Sequence, residues 1–202
     1  MISAAKNSFD SHIEQCNEAV EIYKYLEANG YIADFGLRFV WVAAMSALDN
    51  YVSELIIEKA TKVFSNDGLL SNKLETESVP FGNILNFQSS TPAEATVAFR
   101  NLISNAVKFQ TFQKADSVAA GLAYIWNEKH KWKFISDSMS MPMKSAKGKL
   151  NSICYRRDAI VHNADYDMAS NKLRGCNLED AMEASNFVTE LVGTIDNLVF
   201  SV

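Results

Sequence analysis

The chain contains 202 residues, of which 48% are hydrophobic and 21% charged, with a net charge of −5 at pH 7. This length favours one domain, residues 1–202, with a real core, and the composition is ordinary for a soluble globular protein. Three prolines and eight glycines are too few for a strand-rich fold with many tight turns. The three cysteines have no CxxC spacing, which argues against a disulfide framework and a zinc site and suits a reducing cytoplasm.

The first residues, MISAAKNSFDSHIEQC, contain no apolar segment typical of a signal peptide, so secretion is not expected. No apolar run approaches the roughly 20 residues needed to span a bilayer. We therefore expect a cytoplasmic protein without a membrane partner.

Apolar residues recur at helical spacing from the start of the chain. The first stripe consists of Phe9, Ile13, Cys16, Val20 and Tyr23. A glycine in ANG at 28–30 is typical of the residue that follows a helix. The second segment is apolar on more than one side, which predicts a helix through the centre of the domain. Its stripe consists of Leu37, Trp41, Ala44, Leu48, Tyr51 and Leu55.

Residues 65–91 lose this periodicity and are predicted to form an irregular connection that can include one short helical turn. Thr91 then caps a helix in which Pro92 fits the first position and Glu94 completes a capping box. A stripe of Ala115, Ala119, Leu122 and Trp126 precedes the basic loop NEKHKWKF. One further helix is expected after Pro142, and the last begins after its cap, Asn177.

No segment shows the apolar–polar alternation of a strand, and no internal repeat is present. The predicted fold class is all-α: a single-domain helical bundle of five to six helices, mostly antiparallel.

Positive charge is concentrated between residues 128 and 157. Eight lysines and arginines stand against two acids there, giving +6 and leaving −11 for the rest of the chain. Such a local field attracts a polyanion even when the total charge repels it, although a solvated lysine-rich loop has the same composition. Trp126 and Trp132 bracket the basic loop; core packing is the expectation for both, and base stacking is the alternative.

The stretch CYRRDAIVHNADYD, residues 154–167, contains the candidate site residues. Arg157 falls on the apolar stripe of its helix, which consists of Ala146, Leu150, Ile153, Cys154 and Val161. A guanidinium at a core-facing position is costly unless it is paired or bordered by water. Asp158 lies four residues before His162, so the two share a helix face if the helix extends that far.

A purely structural interpretation of these residues is also open. Arg157 would then pair with an acid of a neighbouring helix, for which Asp49 and Glu54 are candidates. His162 would interact with the last carbonyls and the dipole of its helix.

The run RDAIVH fits R-[NDH]-x3-H and resembles the signature of the HEPN superfamily of helical bundles, which includes many metal-independent ribonucleases. The surrounding sequence resembles the RiboL-PSP-like branch. SALDNYV at 46–52 is similar to its second-helix pattern, RRDAIVHNADYD to its RRN-x-I-x-H-E-x-D run, and NLEDAMEASNFVTELVGTID to its closing helix. The similarity covers residues 35–60 and 145–198. The chain departs from the pattern at Asp158, at Asn163, and at Ala164, where some toxin members carry a modified tyrosine; the nearest tyrosine here is Tyr166.

The resemblance implies a metal-independent endoribonuclease that needs no cofactor, acting as a toxin or phage-defence effector with RNA as its substrate. His162 would transfer protons, Arg157 would bind phosphate and stabilise transition-state charge, and Asp158 would hold the geometry. One histidine is too few for both proton transfers, so a homodimer with a composite site is expected, and an antitoxin or regulatory protein is a possible partner.

Arg156 and Lys149 are candidate contacts for the RNA backbone, with a solvated surface position as the alternative for each. Two other functions stay open: a non-catalytic HEPN module for RNA or nucleotide binding or assembly, and a structural dimer in which Arg157 pairs internally.

Overall fold

The computed structural model describes residues 2–66, 68–167 and 169–200. Over these residues the fold is an all-α bundle, as predicted, and five of its nine helices have 16 residues or more. The helices are α1 (Ala4–Ala28), α2 (Asp34–Ser65), α3 (Asn72–Glu75), α4 (Phe81–Ser89), α5 (Pro92–Val107), α6 (Ala115–Leu122), α7 (Lys131–Ser138), α8 (Met143–Asn163) and α9 (Leu178–Phe200). Two-residue strands β1 (Tyr166–Asp167) and β2 (Lys172–Leu173) form a hairpin between α8 and α9.

Helix α2 is the centre of the bundle, as its apolar pattern predicts, and it packs against α1, α5, α6, α8 and α9. Phe9 near the start of α1 contacts Tyr51 in the second half of α2, with ring centroids 6.0 Å apart. Arg38 near the start of α2 pairs with Asp165, just beyond the end of α8. Helix α2 is therefore antiparallel to both α1 and α8.

Helix α2 also has the length and composition of a membrane-crossing segment. Its most apolar window has a mean hydropathy of 1.2, and half of that window is buried inside the bundle. The sequence prediction that no apolar run approaches such a length overlooked this helix.

Several predicted helix features are confirmed. Thr91 and Glu94 form the reciprocal capping box at the start of α5. Asn177 accepts a hydrogen bond from the Asp180 N–H at 2.8 Å, as a cap of α9 should. Phe9 and Cys16 of the predicted stripe are buried, and α1 packs against α2.

Two segments that were expected to be irregular contain helices. The connection at 65–91 includes α3, which is capped by Ser71, and α4. The ring centroids of Phe87 in α4 and Phe64 in α2 are 6.1 Å apart. Asp67 of this connection lies outside the described residues. The basic loop includes the start of α7, because Trp132 and Ile135, three residues apart, are both buried on one side of the helix while Lys133 is exposed. Helix α6 conversely ends at Leu122, before the predicted last member of its stripe.

The hairpin of β1 and β2 was not predicted. Tyr166 pairs with Leu173 and Asp167 with Lys172, and two residues per strand are too few to produce a recognisable alternation. The hairpin continues directly from α8 and so lies beside the predicted site.

Candidate functional site

The predicted residues Arg157, Asp158 and His162 all lie in the last two turns of α8. The helix extends to Asn163, so Asp158 and His162 share a face. Ala164 and Asp165 follow with φ of 48° and 63°, a left-handed conformation that residues other than glycine adopt at a cost. The Asp165 N–H donates to the Ala159 carbonyl at 2.9 Å. Contacts from elsewhere must hold this strained end in place.

Asp165 makes those contacts. Its carboxylate is fully buried and accepts a hydrogen bond from Arg38 Nε at 2.8 Å and one from Arg156 Nη2 at 2.9 Å. Arg156 Nη1 lies 2.7 Å from the second carboxylate oxygen. Both guanidinium groups also donate to carbonyls of the chain beyond the hairpin, Arg38 to Arg174 and Arg156 to Gly175. Two cations on one buried carboxylate therefore fix the end of α8 to α2 and to the segment that connects β2 with α9.

Sequence reasoning did not single out Arg38 or Asp165 as members of the site. Asp165 corresponds to the last aspartate of the pattern that RRDAIVHNADYD resembles, so the resemblance contained a signal for it. Arg38 is 127 residues away from its partner, and no local pattern marks it.

Arg157 is partly buried, and only part of its guanidinium group has a bonding partner within the described residues. Its side chain is 18% exposed, and Nη1 lies 2.9 Å from Asp158 Oδ1. Its Nε is buried and has no hydrogen-bond partner within the described residues. Neither candidate acid of the structural interpretation is its ion-pair partner. Asp49 instead accepts hydrogen bonds from the Phe112 N–H at 2.6 Å and from Gln113 Nε2 at 2.7 Å.

His162 is exposed, and in the described part of the chain its side chain makes no hydrogen bond or ion pair. Helix geometry places Asp158 and His162 about 40° apart around the axis. Arg157 and His162 are about 140° apart and about 7.5 Å apart along the axis. The site thus offers a cation and a free imidazole on different sides of one helix, with Asp158 between them.

The two predicted RNA contacts are occupied. Arg156 holds Asp165, which makes it a structural residue rather than a free phosphate ligand. Lys149 pairs with Glu183 and lies over the Phe187 ring, 5.2 Å from its centroid. It also lies about 140° around α8 from His162, so it faces a different surface.

The thiols nearest the site are poor nucleophiles. Burial raises the pKa of Cys154, and the negative charge of Asp158 adds to the rise. Burial also raises the pKa of Cys176, against the opposing effect of its hydrogen bond with Arg156. Both groups are protonated at neutral pH, so the imidazole and the guanidinium are the groups available for chemistry.

Val161 was predicted to be buried on the stripe of α8, and this is wrong: it is 50% exposed. The helix extends past the core at this end, so the stripe continues into solvent. Tyr155 and Tyr166 are also exposed here, at 66% and 45%. The end of α8 that carries the free imidazole therefore also exposes apolar and aromatic side chains.

Comparison with family models, with curated proteins and with solved structures gives no match. The relationship to the HEPN superfamily therefore stays a prediction from the motif, its spacing and the helical fold.

Proposed function

We propose that this protein is a metal-independent endoribonuclease whose active site combines the α8 ends of two identical chains. The observation that carries the proposal is that one exposed helix end carries both Arg157, whose Nε has no hydrogen-bond partner, and His162, whose imidazole has none either, within the residues that the structure describes. By the motif's resemblance, the protein acts as a toxin or phage-defence effector, with an antitoxin or regulatory protein as its partner.

The proposed reaction is an internal transesterification of RNA. The 2′-oxygen attacks the adjacent phosphorus, the bond from phosphorus to the 5′-oxygen breaks, and a 2′,3′-cyclic phosphate and a 5′-hydroxyl result. One imidazole takes the 2′-hydroxyl proton and another gives a proton to the 5′-oxygen. Arg157 stabilises the charge that develops on the phosphoryl oxygens.

The helix geometry supports a composite site. Because Arg157 and His162 project about 140° apart, one helix does not direct both groups to the same phosphate. A twofold-related copy supplies the second imidazole and brings a guanidinium to the opposite side. Asp158 orients Arg157 through their ion pair, and this ion pair breaks when Arg157 binds the substrate phosphate.

The test is RNA cleavage in EDTA by the parent and by His162→Ala. General acid–base catalysis contributes about 10²- to 10⁴-fold, so His162→Ala should lose at least that order of rate. His12→Ala is the matched control, since His12 lies on α1 outside the proposed site, and it should cleave at the parental rate. Equal rates for the parent and His162→Ala would contradict the proposal.

A non-catalytic RNA-binding module is the second candidate. The Arg157–Asp158 ion pair favours it over catalysis, because the aspartate reduces the positive charge that would stabilise a transition state, where the resembled pattern more often has asparagine. This function predicts a complex with uncleaved RNA that salt and Arg157→Ala both weaken. Recovery of intact RNA after prolonged incubation with the parent would favour it over the ribonuclease.

A further inference from the structure

A cation-rich cavity of about 540 Å³ lies between α6, α7 and the start of α8. Its charged lining residues are Lys129, Lys131, Lys133, Lys147, Asp116 and Asp137. Four lysines against two aspartates leave a formal charge of +2, in a chain whose total is −5. The volume is within the usual range of ligand sites, about 300–1,000 Å³. The cavity is thus a local exception to the acidic character of the protein.

The wall of this cavity is fixed by the fold. Trp132 is 5% exposed and donates from Nε1 to the Ala115 carbonyl at 2.7 Å, which ties α7 to α6. Lys131 is 9% exposed, and its Nζ donates to the Glu128 carbonyl at 2.6 Å. Burial lowers the pKa of Lys131, because its ammonium is separated from water. The negative charge of Glu128 opposes this shift, and an anion in the cavity would add to that opposition.

The other lysines of the cavity are available to an anion. Lys129 and Lys133 are exposed, and neither forms an ion pair within the part of the chain that the structure describes. Lys147 lies 2.8 Å from Asp116, whose side chain is 88% exposed. An ion pair this open to water is weak, so Lys147 can turn from Asp116 to an incoming phosphate.

One face of α8 connects this cavity to the proposed active site. Lys147, Asn151, Tyr155, Asp158 and His162 are spaced by four, four, three and four residues, so they lie on one side of the helix. The distance along the axis from the first to the last is about 22 Å. Stacked nucleotides advance about 3.4 Å each, so about six of them cover this distance. The Tyr155 ring is 66% exposed and lies between the two ends; the Arg174 guanidinium lies over the ring, 5.9 Å from its centroid, and a base would stack on the part that stays exposed.

We propose that this cavity is a second RNA-binding site, which holds the phosphodiester backbone of a single-stranded RNA whose distal part reaches His162. The inference deepens the proposed function and rests on it for the identity of the substrate, whereas binding at the cavity requires no cleavage. Lys129, Lys133 and Lys147 contact the phosphates, and Lys131 contributes charge from the wall.

The experiment measures binding of a fluorescent 12-nucleotide single-stranded RNA to His162→Ala protein over a range of salt concentrations. Adding Lys129→Glu and Lys133→Glu should weaken binding at least about tenfold. The slope of log Kd against log salt should fall by about 1.4, because each lost phosphate contact removes about 0.7 for a single strand. Thermal unfolding confirms that the charge-reversed protein is folded.

The matched control adds Lys24→Glu and Lys62→Glu, exposed lysines on α1 and α2 that change the net charge equally. It should bind within about twofold of the parent with the same salt slope. An unchanged slope for the cavity variant would overturn the inference, as would an equal loss in the control. Competition by inorganic phosphate or AMP at concentrations near the RNA Kd would also overturn it, since the cavity would then be a small-anion site.

The two proposals fail separately. If the parent cuts no RNA but the cavity variant still shows a weaker RNA affinity and a smaller salt slope, the ribonuclease proposal is wrong and the RNA-binding site is supported. If the parent cuts RNA in EDTA and the cavity variant binds normally, the ribonuclease stands and the second site is wrong.

Discussion

Asp165 carries two guanidinium partners, Arg38 and Arg156, at a position closed to water. Removing one member of a buried ion cluster is costly because the remaining charges lose their partner while they stay desolvated. The cluster also offsets the strain of two consecutive left-handed residues, Ala164 and Asp165. The site at the end of α8 therefore depends on a residue with no part in the proposed chemistry.

Replacement of Asp165 by asparagine should lower the free energy of unfolding by about 3–5 kcal/mol, the usual loss when a buried ion pair is broken. Urea denaturation measures the change. Asp167→Asn is the control in the same hairpin, since its side chain is 38% exposed, lies 3.4 Å from Arg174, and accepts hydrogen bonds from the Ala169 and Ser170 N–H groups that an asparagine oxygen also accepts. Its loss should be much smaller, and equal losses for the two variants would contradict the role assigned to the cluster.

If the proposed function holds, Asp158 competes with RNA for Arg157, because the two side chains form an ion pair. In the His162→Ala background, Asp158→Asn should strengthen RNA binding by about two- to fivefold, the factor that corresponds to a partly exposed ion pair. Fluorescence anisotropy measures this affinity. Asp10→Asn removes an equal charge from an exposed pair with Lys6 on α1 and should leave the affinity unchanged. Weaker binding by Asp158→Asn would mean that the carboxylate positions Arg157 for RNA instead of competing with it.

The adjacent arginines show how far sequence can predict at the residue scale. Helical spacing placed Arg157 on the buried stripe, where it is indeed partly buried. The same spacing predicted that Arg156 is exposed to solvent. In the structure Arg156 pairs with Asp165, which lies beyond the helix end, where the chain turns back. Periodicity cannot describe that turn, because it depends on two left-handed residues that carry no glycine signal.

Helix α8 has an unfavourable residue type for the local backbone conformation at two positions, one inside the helix and one at its end. Gly148 lies inside the helix, where glycine costs about 0.5–1 kcal/mol relative to alanine, and Ala164 occupies the left-handed position that favours glycine. A Cβ at Gly148 would meet no atom within 4 Å.

Gly148→Ala and Ala164→Gly should each raise the free energy of unfolding by about 0.5–1 kcal/mol. Urea denaturation of the single and double variants measures both gains, and their distance along α8 predicts additivity. Ala159→Gly, a substitution within the helical part, is the control and should lower stability by about 1 kcal/mol. A loss of stability in Ala164→Gly would contradict the left-handed end of α8.

The predictability of the elements follows from their length. Helices α1, α2, α8 and α9 each repeat their apolar spacing over several turns, so the pattern was sufficient to identify them, and the capping box of Thr91 and Glu94 identified the start of α5. Helices α3, α4 and α7 have 4, 9 and 8 residues. In α7 the buried pair Trp132 and Ile135 lies in a lysine-rich sequence, which obscures the apolar spacing. Their helical state depends on contacts such as Phe87 with Phe64 and Trp132 with Ala115, which are distant in sequence.

At the scale of the whole molecule, the proposed chemistry needs a second chain. One protomer offers one free imidazole at the site, whereas the reaction needs a base and an acid. Val161, next to His162 in the sequence, and Tyr166, in the hairpin that follows α8, are exposed in the isolated chain. Burial of these side chains between two copies would exclude water from the phosphate and bring the two imidazoles together.

Val161 gives the sharpest test of that arrangement. Val161→Lys would place two like charges near a twofold axis and desolvate them, so we expect a monomer by sedimentation equilibrium and a loss of cleavage at the same protein concentration. Lysine is chosen because its positive charge does not repel RNA. Val97→Lys on α5 is the matched control, since Val97 is 60% exposed and distant in sequence from the site. It should dimerise and cleave as the parent does. A Val161→Lys protein that cleaves fully as a monomer would show that one chain contains the complete active site.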